Sequence, residues 1–418
     1  MIRTAAWGPR GRGMLRLLRE HRVVLTSLGV ACLLEILVGG PAAAQLIRDP
    51  NIGKFCEQPS IRQTVVYIDR QVVVRGETGW ARQLRARMTD LAPRERVEIV
   101  SLSSATGAAE RRWRGCWPDY DAAEKERIKD EDCGLFGCPL DDLEDQQALF
   151  RRQMALALNG ILADGRPSSQ VQVDLEAPPR KSIAETLALD RGRFDIAEGP
   201  IRVILYSDML ENGEAGAVAE AEDGPALAQD LAEQFDLELS RANFYVYGVN
   251  STFARQDGSM TLARRLEAFW RVFLRRSGGY LASYGSDLQL RGKPPRRLTV
   301  YRVSLEHPTA GRLLGRLRVL ADSDGRLLQS WFGLDNYGAV PISGVATCAE
   351  SCSVQAKLLD DYYAFQKDDR IELQGAPEQM SGTIGDESEI WSGEISEDLR
   401  GEEAVMPISV RPTESLRF

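Results

Sequence analysis

The chain has 418 residues, of which 43% are hydrophobic and 27% are charged, a composition typical of a globular protein long enough for two domains. Its formal net charge of −9 argues against nucleic-acid binding, which normally needs a basic surface. Only two histidines occur, His21 and His307. This scarcity argues against a Ser-His-Asp triad, a Cys-His dyad and a histidine-rich zinc site.

The first 44 residues have the features of an export signal. Residues 1–22 carry several arginines, residues 23–40 are largely apolar, and residues 41–45 contain an A-x-A-like cleavage site. We expect cleavage after Ala44, which places the mature chain in the periplasm or outside the cell. The alternative is an uncleaved inner-membrane anchor with the body of the protein in the periplasm. Contact with a membrane is expected only through this segment.

Six cysteines remain outside the export signal, and an even number in an exported chain predicts disulfides. Close spacing favours pairing within CGLFGC and within CAESC, and the two remaining cysteines then form a third pair. The predicted pairs are Cys56–Cys116, Cys133–Cys138 and Cys348–Cys352. The alternative, zinc bound by the two close pairs, is disfavoured because their spacings differ from the usual two residues. A redox or metal-chaperone role for these pairs is a further hypothesis.

The part of the chain from residue 61 to about residue 290 alternates predicted strands with predicted helices. The strand segments are 64–69, 97–102, 111–117, 201–206, 242–249 and 280–284. The helix segments are 78–91, 143–162, 183–189, 225–235 and 261–277. This alternation predicts one α/β domain with a doubly wound, mostly parallel, Rossmann-like sheet.

The composition changes at residues 291–297, a predicted linker, and helical patterns disappear after it. Short strands separated by turns are expected at 298–305, 312–320, 327–334, 353–359, 370–373, 389–394 and 405–410. This pattern predicts a smaller all-β, sandwich-like domain over residues 297–418.

Two of the predicted buried strands end in an aspartate. The segment TVVYID ends at Asp69, and the segment IRVILYSD ends at Asp208. The carboxyl ends of strands are where ligands bind in open α/β folds. If the two strands are neighbours, both carboxylates lie at one edge of the sheet and could hold a divalent cation.

The order of motifs in residues 60–290 resembles the von Willebrand factor A (VWA) fold, in particular its exported bacterial versions. The motifs are TVVYID, SIAETLAL, VILYSDMLENG, FYVYGVN and LEAFWRVFLRRSGG. The resemblance implies Mg²⁺ in a metal-ion-dependent adhesion site. Asp69 and Asp208 match its two aspartates, and Ser182 matches its threonine, although Ser182 can equally cap the helix that follows.

The predicted ion site departs from the pattern of the family. Gln71 and Val73 stand where the family has two serines, so the site is degenerate. Water or the Gln71 amide would have to replace two hydroxyl ligands of Mg²⁺. In the alternative without a metal, Asp69 and Asp208 bind neighbouring loops and Arg70 supplies the positive charge.

The resemblance implies a non-enzymatic module for protein interaction or adhesion, with a partner among envelope proteins and no catalytic residue. Arg70, Gln71 and Met209 are the predicted binding residues beside the ion site. The alternative is a metal-assisted hydrolase in which Asp69 and Asp208 hold the ion.

Overall fold

The structure is a computed structural model. It describes residues 53–88, 90–134, 137–176, 179–195, 199–213, 216–218, 221, 223–290, 293–307, 311–335, 337–348, 352–359, 377–384, 391–399 and 402–417. The predicted export signal lies outside the described residues. Within these ranges, no helix is long and apolar enough to cross a membrane.

The first part of the chain forms a six-stranded sheet and one small hairpin. The strands are β1 (Gln63–Asp69), β2 (Arg96–Ser103), β3 (Ala108–Cys116), β4 (Ile201–Tyr206), the hairpin strands β5 (Asn212–Gly213) and β6 (Gly216–Ala217), β7 (Asn243–Tyr247) and β8 (Tyr280–Tyr284). The spatial order of the sheet is β3-β2-β1-β4-β7-β8. Every neighbouring pair is parallel except β2 and β3. The predicted mostly parallel α/β sheet is therefore confirmed.

Helices cover both faces of this sheet. They are α1 (Gly79–Arg87), α2 (Ala122–Glu131), α3 (Leu143–Ala163), α4 (Ser168–Val171), α5 (Ile183–Leu189), α6 (Gly192–Asp195), α7 (Gly224–Phe235) and α8 (Ser259–Arg276). Alternate residues of β1 and β4 enter two separate hydrophobic clusters, one with α5, α7 and α8 and the other with α1 and α3. Both strands are apolar almost throughout because each of their faces is covered.

Two predicted disulfides are present. The bond between Cys56 and Cys116 joins a short 3-10 helix (Lys54–Cys56) to the end of β3, and Cys133 bonds Cys138. Cys348 and Cys352 are opposite one another in the register of two strands of the C-terminal sheet. Their side chains lie outside the described part of the structure, so the third pairing stays a prediction.

The C-terminal part is an all-antiparallel sheet that closes into a barrel. Its strands are β9 (Pro295–His307), β10 (Gly311–Asp322), β11 (Ser330–Leu334), β12 (Tyr337–Cys348), β13 (Cys352–Leu358), β14 (Pro377–Ile384), β15 (Trp391–Leu399) and β16 (Glu402–Arg417). The all-β prediction is confirmed, but the sheet is a closed barrel where we expected a two-sheet sandwich. The physical reason is that β9 pairs with both β10 and β16, which leaves no free edge. The strand predicted at 370–373 lies outside the described residues.

The barrel packs against the amino ends of the strands of the α/β sheet. Leu298 and Leu320, on its outer face, form an apolar cluster with Ile61 and Ala92. Trp331 Nε1 donates a hydrogen bond of 3.1 Å to Asn243 Oδ1 at the start of β7. The described parts of the sheet and the barrel belong to one compact unit.

Candidate functional site

The two aspartates singled out in the sequence lie at the carboxyl ends of neighbouring parallel strands. Residue Ile68 of β1 is directly opposite Tyr206 of β4, so Asp69 and Asp208 leave the sheet at the same carboxyl edge. Both side chains are buried. The predicted placement of these two carboxylates at one edge is confirmed.

A lysine lies between the two carboxylates. Lys181 Nζ is 2.5 Å from Asp69 Oδ2 and donates a hydrogen bond to Asp208 Oδ1. The side chains of Lys181, Asp69 and Asp208 are each only 1% exposed. The sequence analysis singled out Ser182 and overlooked the residue immediately before it. The positive charge that we expected Arg70 to supply in the absence of a metal comes from Lys181 instead.

Lys181 is held in its charged form. Burial alone disfavours an ammonium group, but the charges of Asp208 and Asp69, together with their hydrogen bonds, outweigh burial and raise the pKa of Lys181. The buried cluster therefore contains one permanent positive charge beside two acidic groups.

Three hydroxyl groups and two backbone amides complete the surroundings of the carboxylates. Asp69 accepts hydrogen bonds from Ser104 Oγ at 3.1 Å, from Ser207 Oγ at 2.8 Å and from the backbone N–H of Gln71 at 3.0 Å. Asp208 accepts hydrogen bonds from Thr252 Oγ1 at 2.5 Å and from the backbone N–H of Leu210 at 3.0 Å. Every carboxylate oxygen of the pair has at least one protein donor.

The backbone of Lys181 is fixed by β5. The N–H of Lys181 donates to the carbonyl of Asn212 at 3.0 Å, and the N–H of Asn212 donates back at 2.6 Å. The N–H of Ser182 bonds the carbonyl of Ser104 at 2.8 Å. A Cβ at Gly213 would lie 2.9 Å from Ser182 Oγ, so glycine permits this close approach. The lysine is thus delivered to the carboxylates by a well-anchored segment.

Ser182 has the capping role that the sequence allowed. Its Oγ accepts a hydrogen bond of 3.3 Å from the N–H of Glu185 at the start of α5. A hydrogen bond from Ser182 also reaches the carboxylate of Glu211. Its described contacts therefore join it to the helix start and to Glu211, while Lys181 contacts the two aspartates.

The three predicted binding residues have different surroundings. Arg70 is exposed and the side chain of Gln71 is half-buried, so both reach the surface beside the carboxylates. Met209 is buried, with a positive φ of 63°, and its carbonyl accepts a hydrogen bond of 2.9 Å from Trp270 Nε1. The expectation that the Met209 side chain offers a binding surface is therefore corrected, because α8 covers it.

A third buried carboxylate, which the sequence analysis missed, lies next to Lys181. Glu211 accepts hydrogen bonds from the backbone N–H groups of Ile183 at 2.8 Å and Ala184 at 3.1 Å. Burial raises the pKa of Glu211 to about 7, against the opposing effects of these donors, Ser182 and Lys181. Its position three residues after Asp208 on the same loop was the available sequence signal.

The arrangement does not fit the Mg²⁺ site that the resemblance implied. Mg²⁺ needs about six oxygen ligands around one point, whereas an ammonium group stands between Asp69 and Asp208. Among the described residues, no group of three or more His, Cys, Asp or Glu side chains is arranged to hold a metal ion. We therefore assign no role to a metal at this edge of the sheet.

Comparisons with known proteins add little to this description. No family model matches the chain, and no curated protein matches it. The chain is similar to the solved structure of the human COPII-coat protein Sec24c, with a TM-score of 0.29 and 12% sequence identity. The similarity covers 85% of this chain and 44% of that chain, so this chain spans less than half the length of Sec24c. Similarity at this level establishes neither a family nor a function.

Proposed function

We propose that the chain is an exported, non-enzymatic protein-interaction module built on a VWA-like domain. Its binding surface is the rim, by which we mean residues 69–72, 104–107, 179–182 and 207–213 at the carboxyl edge of the sheet. The rim binds a protein partner without a divalent cation. The observation that carries this proposal is the Lys181 ammonium between Asp69 and Asp208.

The hydrogen bonds and ion pairs that Asp69 and Asp208 already form within the protein argue for a binding function over a catalytic one. A general base or a metal-holding carboxylate needs an oxygen that can reach a substrate or an ion. The oxygens of Asp69 and Asp208 are buried and satisfied by Lys181, by three hydroxyls and by two backbone amides. These contacts argue against the alternative, a metal-assisted hydrolase in which Asp69 and Asp208 hold the ion.

Hydrogen bonds connect the loops of the rim to one another and to α8, which favours a preformed docking surface. The backbone bridge between Lys181 and Asn212, the bond from Ser182 to Ser104 and the anchoring of Met209 by Trp270 fix three of its loops. A surface that is already ordered loses less conformational entropy when a partner binds. Arg70 and Gln71 are the side chains through which we expect it to contact that partner.

The export part of the proposal has independent support. Disulfides persist in oxidising compartments, and Cys56–Cys116 and Cys133–Cys138 are both bonded. Together with the predicted signal in residues 1–44, these bonds favour a location in the periplasm or outside the cell, or an anchored form that faces the periplasm.

Cross-linking capture from intact cell envelopes tests this function. The tagged full chain is compared with Arg70→Glu and with Arg312→Glu, a matched control on the barrel surface, each in EDTA and in Mg²⁺. We expect wild type and Arg312→Glu to capture the same partner in both conditions, and Arg70→Glu to lose most of it. Capture that disappears in EDTA, or that Arg70→Glu leaves intact, overturns the proposal.

A further inference from the structure

Several arginines face outward at adjacent positions on β9 and β10 of the barrel. Arg316 is directly opposite Arg302 in the antiparallel register, and Arg318 follows two residues later on the same face of β10. Residues directly opposite in an antiparallel pair have their Cβ atoms about 5 Å apart, and like charges there are destabilising. In a chain with a net charge of −9, this local excess of positive charge calls for an explanation.

The same strand shows how a purely structural arginine is accommodated. Arg312 is opposite Glu306, with Nε 3.9 Å from Oε1, and also donates a hydrogen bond of 2.8 Å to Ser304 Oγ. In the described part of the chain, no carboxylate forms an ion pair within 4.0 Å with Arg302, Arg316 or Arg318. Among the described residues, a carboxylate therefore compensates the arginine charge at one end of β10 but not in its middle.

A fourth arginine reaches this place from the α/β part. Arg318 is directly opposite Trp331, and the indole of Trp331 donates a hydrogen bond to Asn243 at the start of β7. Arg241 lies two residues before Asn243 in the chain. Arg241 is itself half-buried and has a positive φ of 60°. We define the arginine cluster as Arg241, Arg302, Arg316 and Arg318. Arg241 and Arg318 are half-buried beside the junction of barrel and sheet, and Arg302 and Arg316 are exposed.

Three arginines of this cluster, Arg241, Arg316 and Arg318, affect one another through their charges. Burial, followed by the charges of Arg241 and Arg316, lowers the pKa of Arg318 to about 10. Burial also lowers the pKa of Arg241, with Arg316 adding to the effect while Glu238 and Asp335 oppose it. Among the described residues, no carboxylate opposes this lowering of the Arg318 pKa. A bound anion would therefore relieve the repulsion between the arginines.

We propose that the arginine cluster is a binding site for a phosphate group. Guanidinium groups present planar pairs of N–H donors that match phosphate oxygens, and several neighbouring arginines suit a doubly charged oxyanion better than a single carboxylate. The site lies at the amino ends of the strands, at the opposite end of the sheet from the rim. It is therefore independent of the function proposed for the rim.

The test measures thermal unfolding and calorimetric binding with inorganic phosphate, against sodium chloride of equal ionic strength. The proteins are the full chain, Arg316→Gln, Arg318→Gln and the matched control Arg312→Gln. We expect 10 mM phosphate to raise the unfolding midpoint of wild type and Arg312→Gln alike, by about 2 °C or more for millimolar affinity. Phosphate affinity should fall about tenfold or more in Arg316→Gln and Arg318→Gln, because each loses charged hydrogen bonds.

If these arginines have only a structural role, phosphate and chloride should have the same effect on the unfolding midpoint in all four proteins. If phosphate stabilises wild type no more than chloride does, or if Arg316→Gln keeps the phosphate effect, the proposal is overturned. Arg316 is exposed, so its replacement decides the outcome even if Arg318→Gln fails to fold.

A second experiment, with lipid vesicles, identifies the source of the phosphate group. Sedimentation with phosphatidylglycerol vesicles, competed by free phosphate and lost in Arg316→Gln, assigns the site to lipid headgroups. Phosphate binding without sedimentation assigns it to a soluble phosphate or phosphate ester. Sedimentation that Arg316→Gln leaves unchanged, without any phosphate binding in solution, overturns the proposal.

Discussion

Lys181 Nζ lies 2.5 Å from Asp69 Oδ2, although 112 positions separate the two residues in the chain. The same ammonium group bonds Asp208, so one buried cation joins two neighbouring strands and the loop before α5. Breaking a buried ion pair by removing one partner costs about 3–5 kcal/mol, because an uncompensated charge stays behind. Lys181 is thus expected to be an essential part of the folded rim.

The first prediction concerns the stability of a variant without this cation. Lys181→Met should lower the free energy of unfolding by about 3–5 kcal/mol, since Asp69 and Asp208 then face each other without a positive charge. Urea unfolding followed by tryptophan fluorescence measures the change. The control is Lys129→Met, which removes an exposed lysine whose pair with Glu126 lies on the surface of α2, and which should cost under about 1 kcal/mol. Equal effects of the two variants would contradict the assignment.

The second prediction concerns pH and Glu211. The pKa of Glu211 is about 7 in the folded protein, against 4.5 for an unperturbed glutamate. Between these values the folded state keeps a proton that the unfolded state has lost, so stability falls as the pH rises from about 4.5 to 7. The decrease from this group can reach about 3 kcal/mol.

The variant Glu211→Gln keeps an acceptor for the N–H groups of Ile183 and Ala184 but cannot ionise. Its free energy of unfolding should fall less than that of wild type between pH 4.5 and 7.5, as measured by urea titration at each pH. Glu144→Gln, at an exposed position in the first turn of α3, should follow the wild-type curve. A Glu211→Gln curve parallel to that of wild type would refute the assignment.

The third prediction compares the two disulfides. Cys56–Cys116 closes a chain segment of 60 residues and Cys133–Cys138 a segment of 5. Because the longer loop restricts the unfolded chain more, replacing Cys56 and Cys116 by serine should cost about 4 kcal/mol, and replacing Cys133 and Cys138 about half as much. Thermal and urea unfolding of the two double variants measure these costs. A larger loss from the shorter loop would show that local packing, and not chain entropy, controls the difference.

The local features of the α/β part could be predicted from the sequence because burial on both faces makes a strand visibly apolar. The predicted strand at 201–206 coincides with β4, and the predicted helix at 261–277 corresponds to α8, which packs Leu266, Phe269, Trp270 and Phe273 into the core. The meeting of Asp69 and Asp208 followed from a rule of topology, that parallel strands present their carboxyl ends at one edge.

The partner of those aspartates could not be predicted in the same way. Lys181 stands in a polar segment after two prolines, where a lysine normally indicates solvent exposure. Its contact with Asp69 depends on the bridge between Lys181 and Asn212, which is a long-range pairing without a local signal. Glu211 was missed although its position three residues after Asp208 was a local signal, because its burial depends on a long-range contact with the start of α5.

The closed barrel could not be predicted from the sequence, because its strands contain glycine and proline. β12 contains Gly338, Pro341 and Gly344, which local propensity interprets as turns. In the structure, a Cβ at Gly344 would lie 2.0 Å from the carbonyl oxygen of Gln355 on the next strand, so the glycine serves close strand pairing. The register that brings Arg316 opposite Arg302 was likewise not encoded in either strand alone.

The central claim is that Lys181 supplies the positive charge that a metal ion would otherwise provide between Asp69 and Asp208. Calorimetric titration of the metal-free wild-type protein with Mg²⁺ tests it most directly. We predict no saturable heat and no change in the unfolding midpoint, because the ammonium group already occupies the position between the carboxylates. Saturable Mg²⁺ binding that Asp208→Asn abolishes would contradict the claim.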